Sequence, residues 1–171
     1  MLPEDILILE LSSFQLMEME ISPEISAITN ITPNHLNIHK DYEEYIKAKK
    51  TIFANQNENG IIVLNADNEL TNACKNEANG KIKMFSSKQK LENGYIVDNN
   101  IVKLCENGIR RHIVESKNIM LRGKHNLENI CAALAATESL VDIDNQAKAI
   151  STFKGVEHRL EYVRELDGVK W

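Results

Sequence analysis

The sequence predicts an α/β fold, a mostly parallel sheet flanked by helices with an antiparallel β edge. Three observations carry that expectation. Apolar strand-like runs alternate with helical patterns along the chain, the order that builds parallel sheets with helices packed on them. The best helical stretch places apolar residues three and four apart, the stripe of an amphipathic helix. Between residues 95 and 114 the pattern changes to short β-type runs punctuated by Asn99-Asn100 and Asn107-Gly108, the chemistry of tight antiparallel turns.

Taken in order, residues 5–11 open the chain with a strand. Ile6 to Leu9 is an unbroken apolar run, as expected where both faces of a strand are buried. Further strands are expected at 25–31, 60–65 and 81–85. Helices are expected at 41–56, 68–79 and 126–140, with a shorter one at 144–153. Residues 95–114 read as hairpins at a sheet edge, and 160–171, with Asp167-Gly168 in the middle, as another hairpin.

The chain has 171 residues, 43% of them hydrophobic, enough for one domain with a real core. Its net charge of −5 comes from scattered charges and argues against nucleic acid, whose phosphates require a basic face. Cys74, Cys105 and Cys131 form neither a paired nor a metal-ligand spacing. An odd count without a signal peptide fits a reducing cytoplasm. No apolar run approaches the roughly 20 residues needed to span a bilayer. Both ends are abrupt: a core strand follows Met1 almost at once, and Trp171 follows a hairpin turn directly. The expectation is a piece of something longer.

Five stretches could carry chemistry. Glu10 interrupts the first apolar run and is followed by Ser12, Ser13 and Gln15. Ligands of open α/β sheets bind at the carboxyl ends of strands, and an acid there needs a partner or exposure to water. His35 follows the second strand, in a turn stiffened by Pro33. It suits metal ligation or proton transfer, or an ordinary loop hydrogen bond. His39 is a weaker candidate of the same type.

Lys49 lies on the apolar stripe of Tyr42, Tyr45, Ile46, Ile52 and Phe53, whereas Lys47 and Lys50 point elsewhere. A lysine on a buried face either snorkels to water or loses proton affinity through desolvation, which makes neutral amine available. Asn126 and Asn129 stand three apart at a helix start after Gly123. One could be an N-cap; two amides could read the edge of a nucleotide base. Arg159, in Gly155-Val156-Glu157-His158-Arg159, offers a guanidinium for phosphate or ribose, or a surface ion pair. No G-x-x-x-x-G-K-[ST] phosphate cradle occurs in the chain.

Together these stretches resemble the Mur ligase family. The resemblance rests on Glu10-Leu-Ser-Ser-Phe-Gln-Leu16, Asn30-Ile-Thr-Pro-Asn-His35-Leu36, Tyr45-Ile-Lys-Ala-Lys49, Asn65-Ala-Asp67, Gly123-Lys-His-Asn-Leu-Glu-Asn129 and His158-Arg159-Leu-Glu161, in that order. The form around Glu10 is similar to the branch that adds D-glutamate to UDP-N-acetylmuramoyl-L-alanine in peptidoglycan precursor synthesis. The alternatives are another Mur or folylpolyglutamate-type ligase, or a non-catalytic nucleotide-binding module.

The resemblance implies an ATP-dependent amide ligase acting through an acyl phosphate, a cytoplasmic monomer using ATP and Mg²⁺. It implies metal and catalytic roles for Glu10, His35 and Lys49, with Lys49 carbamylated so that it offers oxygen to a hard cation. Asn126, Asn129 and Arg159 would hold the nucleotide, and Ser13 and Gln15 would lie near the muramoyl substrate. Asn37-Ile38 departs from the Asp-Arg that many members carry. The resemblance further implies that residues 1–171 are a partial central ATPase domain. The phosphate loop and uridine-binding domain would precede Met1, a C-terminal domain would follow Trp171, and the chain alone would be inactive.

Overall fold

The computed structural model describes residues 2, 5–33, 38–121, 123–156 and 165–170, with the backbone alone at 165, 169 and 170. Six strands form one sheet in sequence order: β1 (Ile25–Ile28), β2 (Ile61–Asn65), β3 (Lys81–Ser86), β4 (Gly94–Asp98), β5 (Ile101–Glu106) and β6 (Ile109–Glu115). The first four run parallel and the last two turn antiparallel. A separate two-stranded hairpin, β7 (Glu165–Leu166) and β8 (Val169–Lys170), lies within the region expected to form one.

Strand alternation sorts the core into two layers. In β2, Ile62 and Leu64 pack with Ile28, Tyr45 and Phe53, beneath helix α2 (Tyr42–Ala54). Val63 points the other way, to Phe85, Tyr95 and Leu134, beneath helix α4 (Lys124–Thr137). Helix α3 (Glu69–Ala73) runs on into a 3₁₀ turn at Cys74–Asn76, and α5 (Ile143–Thr152) follows α4. A short helix, α1 (Ser13–Leu16), precedes β1.

The change from parallel to antiparallel needs no crossover helix. β3 and β4 overlap at only two pairs, Phe85 with Tyr95 and Ser86 with Ile96, so the connecting loop returns a short way before β4 begins. Gly94 makes that return possible. Its φ is 124°, and a Cβ there would lie 2.2 Å from the Met84 carbonyl oxygen. The next two turns use left-handed pairs, Asn99-Asn100 and Asn107-Gly108, whose twist matches that of the strands they join.

One expected strand is not there. Residues 5–11 form no strand, and Ile6 to Leu9 are between 61% and 86% exposed. An apolar run becomes a strand only when a neighbour satisfies its backbone, and among the described residues β1 pairs with β2 alone. The other differences are smaller. The helix expected at 68–79 is a short α-helix plus a 3₁₀ turn, and α4 starts two residues early, capped by Gly123.

Candidate functional site

Beside the carboxyl end of β1 an open cleft of about 780 Å³ gathers Glu10, Asn30, Lys49, Asn126 and Asn129. Four of these were site candidates from sequence. They arrive from three directions: the segment before α1, helix α2 and the start of α4. The uncovered face of β1, at Ala27, and Phe153 add apolar walls.

Lys49 is delivered by a well-formed helix. Asp41 caps α2, its side chain accepting the Glu44 amide at 2.8 Å, which satisfies one orphan donor of the first turn. Tyr45, Ala48 and Phe53 are buried on the sheet side. Lys49 is half-buried on the same flank, its Nζ 5.9 Å from the Tyr45 ring centre. Burial holds its ammonium below the ordinary lysine range, and the nearby Glu10 carboxylate partly offsets that shift. Lys50, one residue on, pairs with Glu77 at 2.5 Å instead.

Glu10 is exposed to the cleft. It offers hard carboxylate oxygen, the donor type Mg²⁺ takes. The Lys49 amine is no such donor unless carbamylated, so the pair fits a magnesium site only with that modification. His35 lies outside the described residues, as does Arg159.

Asn126 and Asn129 line the cleft near the start of α4, and neither is the N-cap, which is Gly123 with φ 97°. The capping explanation therefore falls away for both. Ser13 and Gln15 have structural partners. The Ser13 hydroxyl is buried against His39 Nε2 at 2.8 Å. The Gln15 side-chain oxygen accepts from Ser12 twice, from its amide at 2.9 Å and its hydroxyl at 2.7 Å, a reciprocal cap on α1.

Sequence reasoning did not single out Asn30 as a cleft residue, although it opens the motif ending in His35. It is held by Asn68, whose Nδ2 donates to Asn30 Oδ1 at 2.8 Å and to the Ile31 carbonyl at 3.1 Å. His125 and Lys154 also face the cleft. Cys131 is a core residue, as expected: it is fully buried, and burial pushes its thiol up to about 12.

Residues 2–137 match the Mur ligase middle domain, and the chain belongs to the Mur ligase family. It is 50% identical over 169 residues to the UDP-N-acetylmuramoylalanine--D-glutamate ligase of Clostridium kluyveri, covering 99% of this chain and 36% of that protein. The enzyme of the same name from Clostridium botulinum is 48% identical over 168 residues, covering 98% of this chain and again 36% of its relative. The chain thus spans little more than a third of the length of these curated relatives.

Among solved structures, a UDP-N-acetylmuramoylalanyl-D-glutamyl-2,6-diaminopimelate--D-alanyl-D-alanyl ligase from Acinetobacter baumannii superposes with a TM-score of 0.65 at 17% identity, over 85% of this chain and 32% of that one. A pseudomurein peptide ligase type C from Methanothermus fervidus gives 0.62 at 20% identity, over 82% and 36%. At such identities the likeness concerns the fold. Among the described residues, no helix is long and apolar enough to cross a membrane.

Proposed function

We propose that this chain is part of the central ATP-binding domain of a cytoplasmic, monomeric ligase that joins D-glutamate to UDP-N-acetylmuramoyl-L-alanine. The observation that carries the reading is the cleft that gathers Glu10, Lys49, Asn126 and Asn129. About 50% identity to D-glutamate ligases along nearly the whole chain narrows the substrate.

In this reading ATP with Mg²⁺ supplies an activated phosphoryl group and neutralises the charge that develops on it. The chain's own residues bind and orient. Asn126 and Asn129 present amides to the adenine edge, and the resemblance assigns Arg159 to the nucleotide and Ser13 and Gln15 to the neighbourhood of the muramoyl substrate. Glu10 and Lys49 line the metal-facing side of the cleft, and the resemblance assigns His35 to the same task. Burial raises the share of Lys49 present as neutral amine, and that amine can add to carbon dioxide: its nitrogen lone pair attacks the carbon, a C–N bond forms as one C=O π pair moves onto oxygen, and the nitrogen of the resulting zwitterion gives one proton to solvent. The product is an anionic carbamate with oxygen donors.

The test uses the full-length gene product that carries this chain. With the muramoyl nucleotide, D-glutamate and Mg²⁺ present, it should release phosphate from ATP and form the amide, whereas the 171-residue chain alone should not turn over. Release that ignores D-glutamate but responds to another amino acid overturns the substrate assignment. Turnover by the isolated chain overturns the assignment as an incomplete domain. Asn129→Ala should raise the KM for ATP about tenfold, the scale of one lost hydrogen-bonding side chain. A carbon-13 carbamate signal after incubation with labelled bicarbonate, absent in Lys49→Arg, checks the modification.

A further inference from the structure

The Asn65-Ala66-Asp67 motif lies at the carboxyl end of β2, yet the cleft assigns it no task. Its carboxylate is instead the centre of a cluster joining two loops. Asp67 Oδ1 accepts the Ser86 hydroxyl at 2.6 Å. Oδ2 accepts the Ser87 amide at 2.6 Å, the Ser87 hydroxyl at 3.1 Å and the Lys88 amide at 3.1 Å. The Ser87 hydroxyl has a second acceptor, Glu128 Oε1, closer at 2.6 Å. With one proton to give, it donates along the shorter contact, while the Ser87 amide remains bound to Asp67.

Glu128 belongs to α4, between the two cleft asparagines in sequence but not in direction. At about 100° per residue, Leu127, Ile130, Cys131, Ala132, Leu134 and Ala135 form a broad buried face. Glu128 falls within the arc of that face, and Asn126 and Asn129 fall outside it. A helix seated only on an apolar stripe can roll about its axis, because dispersion contacts have little directionality. A short charge-assisted hydrogen bond from Glu128 fixes the roll, and with it the angle at which Asn126 and Asn129 meet the cleft.

We infer that Asp67 and Ser87 are positioning residues: through Glu128 they set the rotation of the first turns of α4, and so aim Asn126 and Asn129 at a nucleotide base. Asp67 holds the 86–88 loop in place, and Ser87 passes that position to the helix. The inference deepens the proposed function and rests on its adenine assignment, but the clamp itself can be measured without any nucleotide.

Two measurements separate the layers. In the chain as it stands, Ser87→Ala should speed backbone amide exchange over residues 128–131 about tenfold while α2 stays unchanged, and Ser87→Thr should restore protection. Unchanged exchange at 128–131 overturns the clamp. In the full-length gene product, Ser87→Ala should raise the KM for ATP about tenfold and narrow the preference for ATP over GTP, leaving kcat and the amino-acid KM at wild-type values. Asp67→Asn should reproduce this more weakly. An active protein whose ATP/GTP preference ignores Ser87→Ala, despite faster exchange, overturns the positioning role alone. A wild type with no response to ATP instead overturns the proposed function, with the exchange arm still deciding the clamp.

Discussion

The two edges of the six-stranded sheet are built in opposite ways. The β6 edge is antiparallel and carries Arg110, Arg111 and His112 on exposed positions. Asp98 on β4 accepts from Lys103 at 2.7 Å and Arg110 at 3.3 Å, and the Lys103 hydrogen bond foremost holds its carboxyl below the usual range. Charge on an edge strand discourages further pairing. The β1 edge is parallel, has no such charges on Ile25–Ile28, and borders the cleft, which Leu9 at the end of the exposed apolar run also lines. One edge is closed off by charge; the other borders the cleft to which α2, α4 and the segment before α1 bring their polar residues.

The largest expected effect tests what both edges share. Phe85 is fully buried in β3, between them. Phe85→Ala should cost about 3–5 kcal/mol in urea unfolding, with fluorescence and circular dichroism transitions remaining coincident. Separate transitions for the two edges would show that they fold independently.

A smaller effect concerns the β1 side alone. Lys49 has a folded-state affinity for protons below its ordinary value of 10.5. Between its lowered folded value and 10.5 the unfolded chain binds more protons, so stability rises with pH there. Below that window the ammonium is retained and the desolvation penalty is fully present. Lys49→Met should therefore be more stable than wild type at neutral pH, with the gap closing as pH approaches 10.5. Urea midpoints measured at several pH values report it, and a gap that widens with pH would contradict the assignment.

The smallest effect sharpens the contrast between the edges. Ile8 is 86% exposed and Ile109 is 75% exposed. Ile8→Lys and Ile109→Lys should each shift stability by no more than about 0.5 kcal/mol. Only the first should raise the solubility limit of the 171-residue chain in ammonium sulfate, because only it interrupts a continuous exposed apolar run. Equal effects on solubility would erase the distinction.

Local chemistry was legible in the sequence; pairings that depend on distant chain were not. The stripe of α2 was readable to within two residues at each end, and it singled out Lys49 from Lys47 and Lys50. The Asn99-Asn100 and Asn107-Gly108 turns were readable because few residues tolerate their backbone. Residues 5–11 read as a strand and form none, because apolarity sets the capacity to form a strand while pairing decides whether one forms. The link from Ser87 to Glu128 spans 41 positions and leaves no periodic trace. The start of α4 lies two residues before the pattern in the sequence suggests, because Gly123 caps it without a side-chain signal.

At the mouth of the cleft the loops are fastened largely by neutral amides. Asn65 donates to the Thr29 carbonyl at 2.9 Å, and Asn68 spans Asn30, the Ile31 carbonyl and the Thr71 amide. Bonds of this kind are little screened by salt, unlike contacts between exposed charges. The frame that carries Asn30 should thus keep its shape across ionic strengths that weaken the long-range attraction of a charged ligand. Salt would then act on the ligand's arrival and leave the shape of its receptacle alone.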